Sequence, residues 1–285
     1  MNLVVSPPPF IKKERTTHKV IWSVVFSLLP PVVAAGYLFH IQGLLVLLSS
    51  VSSCVLTEAV VQRYRGKEIT IADGTAVITG LVLGLLMPFN APLWIPFIGG
   101  IFSMGLVKQA FGGHGNNIFN PAIAGWVFLM MSWSTFILTP PSFIDKMSFF
   151  LNYQATRMVE ASPAFVLLGG LFLFFNRTIK LGVPVGFLIG ILAPSIALGG
   201  PLYKMYSGIF ILFLFFVITD PVTSPITKEG RFIFGFGCGL LAFIYSSAGN
   251  FEEGLGLSLL LMNALVPLID RFSKPRPLLV EGVDV

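Results

Sequence analysis

Charge is what this 285-residue chain has least of: Asp, Glu, Lys and Arg together make up 11% of it, against roughly 25% in a soluble domain. So sparse a complement excludes an ordinary water-soluble globular protein of this length. Cysteine occurs twice, at Cys54 and Cys238, which cannot alone supply the four thiolates of an iron–sulfur cluster. Each sits in an apolar run and reads as a small buried hydrophobe. The three histidines, His18, His40 and His114, lack metal-ligand spacing. No glycine-rich dinucleotide fingerprint follows a strand-like run. No basic run interleaved with aromatics marks a nucleic-acid surface, so no nucleic acid is expected as a partner.

Apolar sequence is what remains. Hydrophobic residues account for 55% of the chain and the mean hydropathy is +0.86, the values of a polytopic membrane protein. A helix needs about 20 mostly apolar residues to cross a bilayer. Ten candidates emerge: 20–40, 41–61, 74–89, 92–110, 120–138, 162–176, 181–198, 207–219, 232–248 and 254–269. Several are short for a simple crossing. Interrupted segments survive at membrane depth only where neighbouring protein satisfies their backbone groups, so they point inward, to a site. Residues 12–36 imitate a signal peptide, but Pro30, Pro31 and the direct continuation into a second span argue for a retained helix.

Lysine and arginine set the orientation. With the N-terminus cytoplasmic, all but three of the 18 basic residues fall on that side, the exceptions being Lys146, Arg157 and Lys204. So strong a positive-inside bias favours ten spans with both termini cytoplasmic, in a cell (inner) membrane. The organisation expected is a cytoplasmic segment 1–19, five helices over 20–138, an outside loop 139–161, five helices over 162–269 and a cytoplasmic tail 270–285. An odd number of spans per half inverts the second half relative to the first. The fold expected is therefore an all-α polytopic membrane protein of about ten transmembrane helices, in two inverted five-helix halves with broken helices. The sequence echo between halves is slight: TGLVLG at 79–84 and FGFGCG at 234–239.

Residues 111–125, FGGHGNNIFNPAIAG, suit no lipid-facing helix. Asn120-Pro121 sits where the fifth span begins, with Pro121 at a first-turn position that needs no N–H donor. The helix N-terminus favours an electron-rich ligand. Asn117 and Asn120, three apart, could pair with the donors and acceptors of a planar heterocycle if the helix starts slightly early. Two readings stand here: a ligand seat, or a helix cap closing a tight turn. TDPVTSPITKEG at 219–230 is a second polar break on the same side, as if both walled one cavity, and Asp73-Gly74-Thr75 is either a third wall or a cap. Glu58, about one turn from the end of span two, either snorkels to the interface or marks an ion pathway.

The runs DGTAVITGLVLGLLMPFNAPLWIPFIGG, KQAFGGHGNNIFNPAIAG, ITDPVTSPITKEG and LLMNALVPLID occur in register along residues 73–270. Together they resemble the RnfD/NqrB family of membrane proteins, which includes the D subunit of the Rnf electron-transport complex and, more distantly, the B subunit of the sodium-pumping NADH:quinone oxidoreductase. Similarity extends over about residues 10–272. The resemblance implies two flavins: FMN joined by a phosphoester to a threonine in the outside loop, and non-covalent riboflavin near the opposite face, seated by Asn117 and Asn120.

Thr156, in YQATRM, is the threonine that matches the family motif. Its neighbours depart from the small Ser-Gly that usually precedes and the residues that usually follow, which puts recognition by a flavin transferase in question. Arg157 is placed to offset a phosphate charge. On its residues alone Thr156 is an ordinary loop hydroxyl. The resemblance further implies an enzyme subunit with no stand-alone catalysis, assembled with other Rnf subunits and membrane lipid, relaying electrons between ferredoxin and NAD while sodium ions or protons move. Two alternatives remain: a secondary transporter or channel, which inverted halves and broken helices would suit, and a structural subunit of the same complex without flavin.

Overall fold

A computed structural model describes residues 16–137, 149–153, 155–200, 202–249 and 251–273. Thr139, Ser142, Lys146 and Gln154 of the outside loop, and both chain ends, lie outside the described residues. The architecture is all-helical, consistent with a membrane protein, and each of the ten expected apolar segments carries helix.

The first helix, α1 (Thr17–Tyr64), holds 48 residues. Straight, it would run about 72 Å, more than twice a hydrocarbon core of about 30 Å. It is not straight, because His40 has φ 51° and ψ −144° and breaks it. Both arms return to one place: Ile21 and Trp22 pack against Gly74, while Glu58 meets Lys108, which is bonded to the neighbouring Thr75. Gly36 faces Leu44 across the turn. α1 is thus a hairpin of two membrane-length arms, 17–39 and 41–64.

The remaining helices are α2 (Thr75–Leu86), α3 (Trp94–Ile101, continuing through a wider turn Phe102–Gln109), α4 (Pro121–Ser132), the single turn α5 (Ser134–Ile137), α6 (Pro163–Phe175), α7 (Gly182–Leu198), α8 (Gly208–Leu212, widening over Phe213–Val217), α9 (Lys228–Ala248) and α10 (Phe251–Ser273). Within the expected span 120–138 the helix is broken at Trp133, stopping at Ser132 and restarting at Ser134. The widened turns release backbone groups from the regular ladder, as is common next to functional sites.

Small residues bring the helices close. Gly80 and Gly84 of α2 lie against Val51 and Leu47 of α1. Gly186 and Gly190 of α7 touch the backbone of Phe232 and Phe236, while Gly235 and Gly239 of α9 touch that of Val183 and Phe187. A side chain at any of these four positions would collide with main chain, the logic of small-residue packing between membrane helices. This gives both echoed runs, TGLVLG and FGFGCG, a local packing role.

Helix termini gather at two ends of the bundle. At one end Lys67 donates to the carbonyl of Gly112 at 3.1 Å, Arg65 to that of Gln109, and Asp270 accepts from the amide of Ile226 at 3.0 Å. At the other, Phe39 stacks on Phe89 with centroids 4.7 Å apart, and the Phe89 amide donates to the Thr156 carbonyl at 3.1 Å.

Candidate functional site

The chain approaches α4 through a turn in which Gly112, Gly113 and Gly115 have φ of 118°, 107° and 93°. These angles suit glycine and strain other residues, which accounts for FGGHG. The turn delivers Asn117 and Asn120, both buried. Asn120 is the cap of α4: its extended backbone lets Oδ1 accept from the amides of Ala122 at 3.1 Å and Ile123 at 3.3 Å. Its Nδ2 donates to Oδ2 of Asp220 at 3.4 Å. The Asn117 amide donates to the Phe119 carbonyl at 3.1 Å. Capping and cavity-lining therefore coexist in Asn120, with the oxygen committed to the helix and the nitrogen to the second break.

That second break is organised by Asp220. Oδ1 accepts from the Val222 amide and Oδ2 from the Thr223 hydroxyl, each at 3.1 Å, a side-chain turn that lets the chain reverse after α8. Burial pushes its carboxyl above the usual range, opposed by those two hydrogen bonds and by His114. Asn263 of α10 joins the breaks: its oxygen accepts from the Asn120 amide at 3.1 Å and its nitrogen donates to the Thr223 carbonyl at 3.0 Å. Sequence reading had no role for Asn263, although an amide inside an apolar run was the available signal.

Of the third break, Thr75 reaches the cavity wall, held there by Asp73 at the start of α2. The Asp73 Oδ1 accepts from the Thr75 amide at 2.8 Å and from the Thr75 hydroxyl at 2.7 Å. Thr75 in turn accepts from Lys108 at 2.6 Å, and Lys108 pairs with Glu58 at 2.7 Å. Gln109 and Gln62 also donate to that same carboxylate oxygen, at 2.9 and 3.4 Å. The snorkelling reading of Glu58 is corrected: at 1% exposure, with Lys108 at 2%, it is half of an ion pair inside the bundle.

These groups surround one cavity of about 230 Å³. Thr75, Lys108, His114, Asn117, Asn120 and Asp220 supply its polar wall, and Val20, Val24, Val82, Leu173, Phe215 and Phe216 supply apolar wall. The three polar breaks singled out in sequence thus meet in space. An apolar enclosure with a few convergent polar groups is the usual form of a small-molecule site.

Thr156 belongs to the opposite end. Its segment pairs with the 87–89 turn, through Phe89 to Thr156 and Met158 to Met87 at 3.1 and 3.2 Å, leaving Thr156 half-buried. The expectation that Arg157 offsets a phosphate charge is corrected, because its side chain is turned into the bundle. Arg157 is 2% exposed, paired with Glu252 of α10, and donates to the Ile137 carbonyl at 3.2 Å. Burial brings its guanidinium down to about 10, against the opposing pull of Glu160 and Glu253. Glu160 accepts from the amides of Gly208 and Ile209 at 2.9 and 3.0 Å, capping α8. Burial raises its carboxyl value despite those bonds and Arg157.

Residues 4–278 match the model of the NQR2, RnfD, RnfE family. The chain is 39% identical over 280 residues to the D subunit of the ion-translocating oxidoreductase complex of Methanosarcina acetivorans, covering 97% of each chain. It is 37% identical to the D subunit of the Na(+)-translocating ferredoxin:NAD(+) oxidoreductase complex of Acetobacterium woodii, covering 97% of this chain and 95% of that one. It is 32% identical to the D subunit of the proton-translocating ferredoxin:NAD(+) oxidoreductase complex of Clostridium ljungdahlii, with 95% and 94% covered.

Proposed function

This chain belongs to the NQR2, RnfD, RnfE family, and from that membership we propose that it is the flavin-carrying membrane subunit of an ion-translocating ferredoxin:NAD oxidoreductase complex. It works as one part of a redox-driven translocase, alongside the complex's other subunits. The ten helical segments would form ten crossings in two inverted halves of a cell membrane, with both termini cytoplasmic.

The observation that carries the flavin reading is the cavity itself, where Asn117, Asn120, Asp220 and Thr75 converge from segments far apart in sequence. Riboflavin would sit there. Apolar wall from α1, α2, α6 and α8 suits the dimethylbenzene side of the ring, and the amide and hydroxyl groups suit the polar edge. The capping oxygen of Asn120 is committed and one Nδ2 proton goes to Asp220, so its second Nδ2 proton and the Asn117 carboxamide, with one N–H already on the Phe119 carbonyl, are the amide groups left for the ring. Asn263 keeps both breaks in register from behind. A bound flavin supplies a carrier that accepts and returns electrons, while the protein sets its position and surroundings.

Thr156 would carry FMN as a phosphoester, installed by a flavin transferase. What supports this is its place on a segment pinned on both sides, at the end of the bundle opposite the cavity. A carrier at each end divides a crossing of about 30 Å. The test is cofactor analysis of the complex produced with its transferase. The expected result is one riboflavin released on denaturation and an FMN-bearing peptide containing Thr156. A preparation with neither flavin would overturn the reading.

A further inference from the structure

We propose that Lys108 is the cation against which the cavity's flavin changes charge on reduction, and that Glu58 is the positioning residue that holds it there. This rests on the riboflavin reading of the cavity and adds to it the groups that set the flavin's potential.

Lys108 is the one Lys or Arg among the described residues that line the cavity. A lysine in an apolar interior is costly unless paired, and Glu58 meets it at 2.7 Å. Stability does not account for the pair, since apolar residues of the same size commonly serve as well or better. The geometry is more specific than a neutral filler requires. Two of the three ammonium protons go to Glu58 and Thr75, and Thr75 itself lines the cavity. Glu58 is held in turn by Gln109 and Gln62, all three donors converging on one oxygen while the other has no hydrogen-bond partner.

Position fixes the sign of the effect. Lys108 lines the cavity and Glu58 does not, so a ligand there meets the positive charge first. Charges so placed act strongly, because little water screens them. Asp220 on the cavity wall contributes a carboxyl whose partners, Val222, Thr223 and Asn120, are independent of the pair. Altering Lys108 and Glu58 therefore changes the local field without disturbing that side. A nearby cation favours the electron-rich state of a bound ring, so the pair raises its reduction potential.

The measurement is a spectroelectrochemical titration of the purified complex, reading the wave that is missing from an N117L/N120L complex. The double variant K108M/E58Q removes the pair without leaving either charge buried alone. It is expected to keep oxidised riboflavin and to lower the reduced-to-oxidised binding ratio at least tenfold, a downward shift of about 59 mV for a one-electron couple. E58Q alone leaves the cation uncompensated and is expected to shift the wave upward, and K108R to stay near wild type. Opposite signs for the two charge variants are what a merely structural pair would not produce. Shifts in the same direction, no shift at full occupancy, or loss of oxidised riboflavin from a folded K108M/E58Q complex would each overturn the proposal. Wild-type complex without riboflavin would instead defeat the reading beneath it.

Discussion

The carboxamide oxygen of Asn263 accepts the backbone N–H of Asn120 at 3.1 Å, although 143 residues separate them. With the Asn263 nitrogen on the Thr223 carbonyl, one side chain of α10 satisfies main-chain groups from both breaks. Asn263→Leu would leave a donor and an acceptor unpaired, at about 1–3 kcal/mol each. The complex is expected to melt at lower temperature and to lose riboflavin more readily. Asn263→Asp keeps the acceptor and should fall between. A Leu variant with unchanged melting and full riboflavin would show that the bridge holds nothing in place.

Thr156→Val preserves shape and removes the hydroxyl. The expected outcome is an intact helical fold without covalent flavin, read by in-gel fluorescence, while Thr156→Ser retains some. Peptide mapping decides the position: flavin found on Thr139 or Ser142 of the same loop would refute Thr156 as the attachment point.

Glu160 gives a pH signature. Its folded-state value is raised from 4.5 by burial, so its contribution to stability is fully present below the ordinary glutamate range and is lost as pH rises through the higher folded value. Thermal midpoints of the detergent-solubilised protein should therefore decline across that interval. Glu160→Gln keeps an acceptor for the α8 amides and removes the titration, so its midpoints should lie flatter. Identical pH profiles would exclude Glu160 as the source.

A reporter active only outside the cytoplasm tests the orientation. Fused after Gly199, between α7 and α8, it should be active; fused after Lys180, between α6 and α7, silent. The reverse pattern would place the cavity and Thr156 on the wrong faces.

Much of this was legible in the sequence because hydrophobic segments in lipid answer to simple rules of length and backbone satisfaction. The helices fall where apolar runs lie, and the three polar breaks meet where their shared side implied. Charged residues were harder. Glu58, Lys108 and Arg157 each lie near an expected span end or loop, and sequence assigns such residues to water. Their real surroundings depend on partners 50 residues away for Glu58 and Lys108 and on α10 for Arg157. Asn263 was missed for the same reason, since an amide within a helix declares its partners only when another segment is brought alongside.

The reversal at His40 bears on how the protein is made. Because the arms 17–39 and 41–64 meet across a break one residue long, no polar loop separates them that would have to be carried through the bilayer. In the ten-crossing arrangement proposed above, the first helical hairpin would enter the membrane as a unit during synthesis, before any later helix exists, with both its free ends on the side from which it entered. The surface it presents, with Gly43, Leu47 and Ser50 buried in the finished protein, would then be the template on which α2 assembles as it emerges.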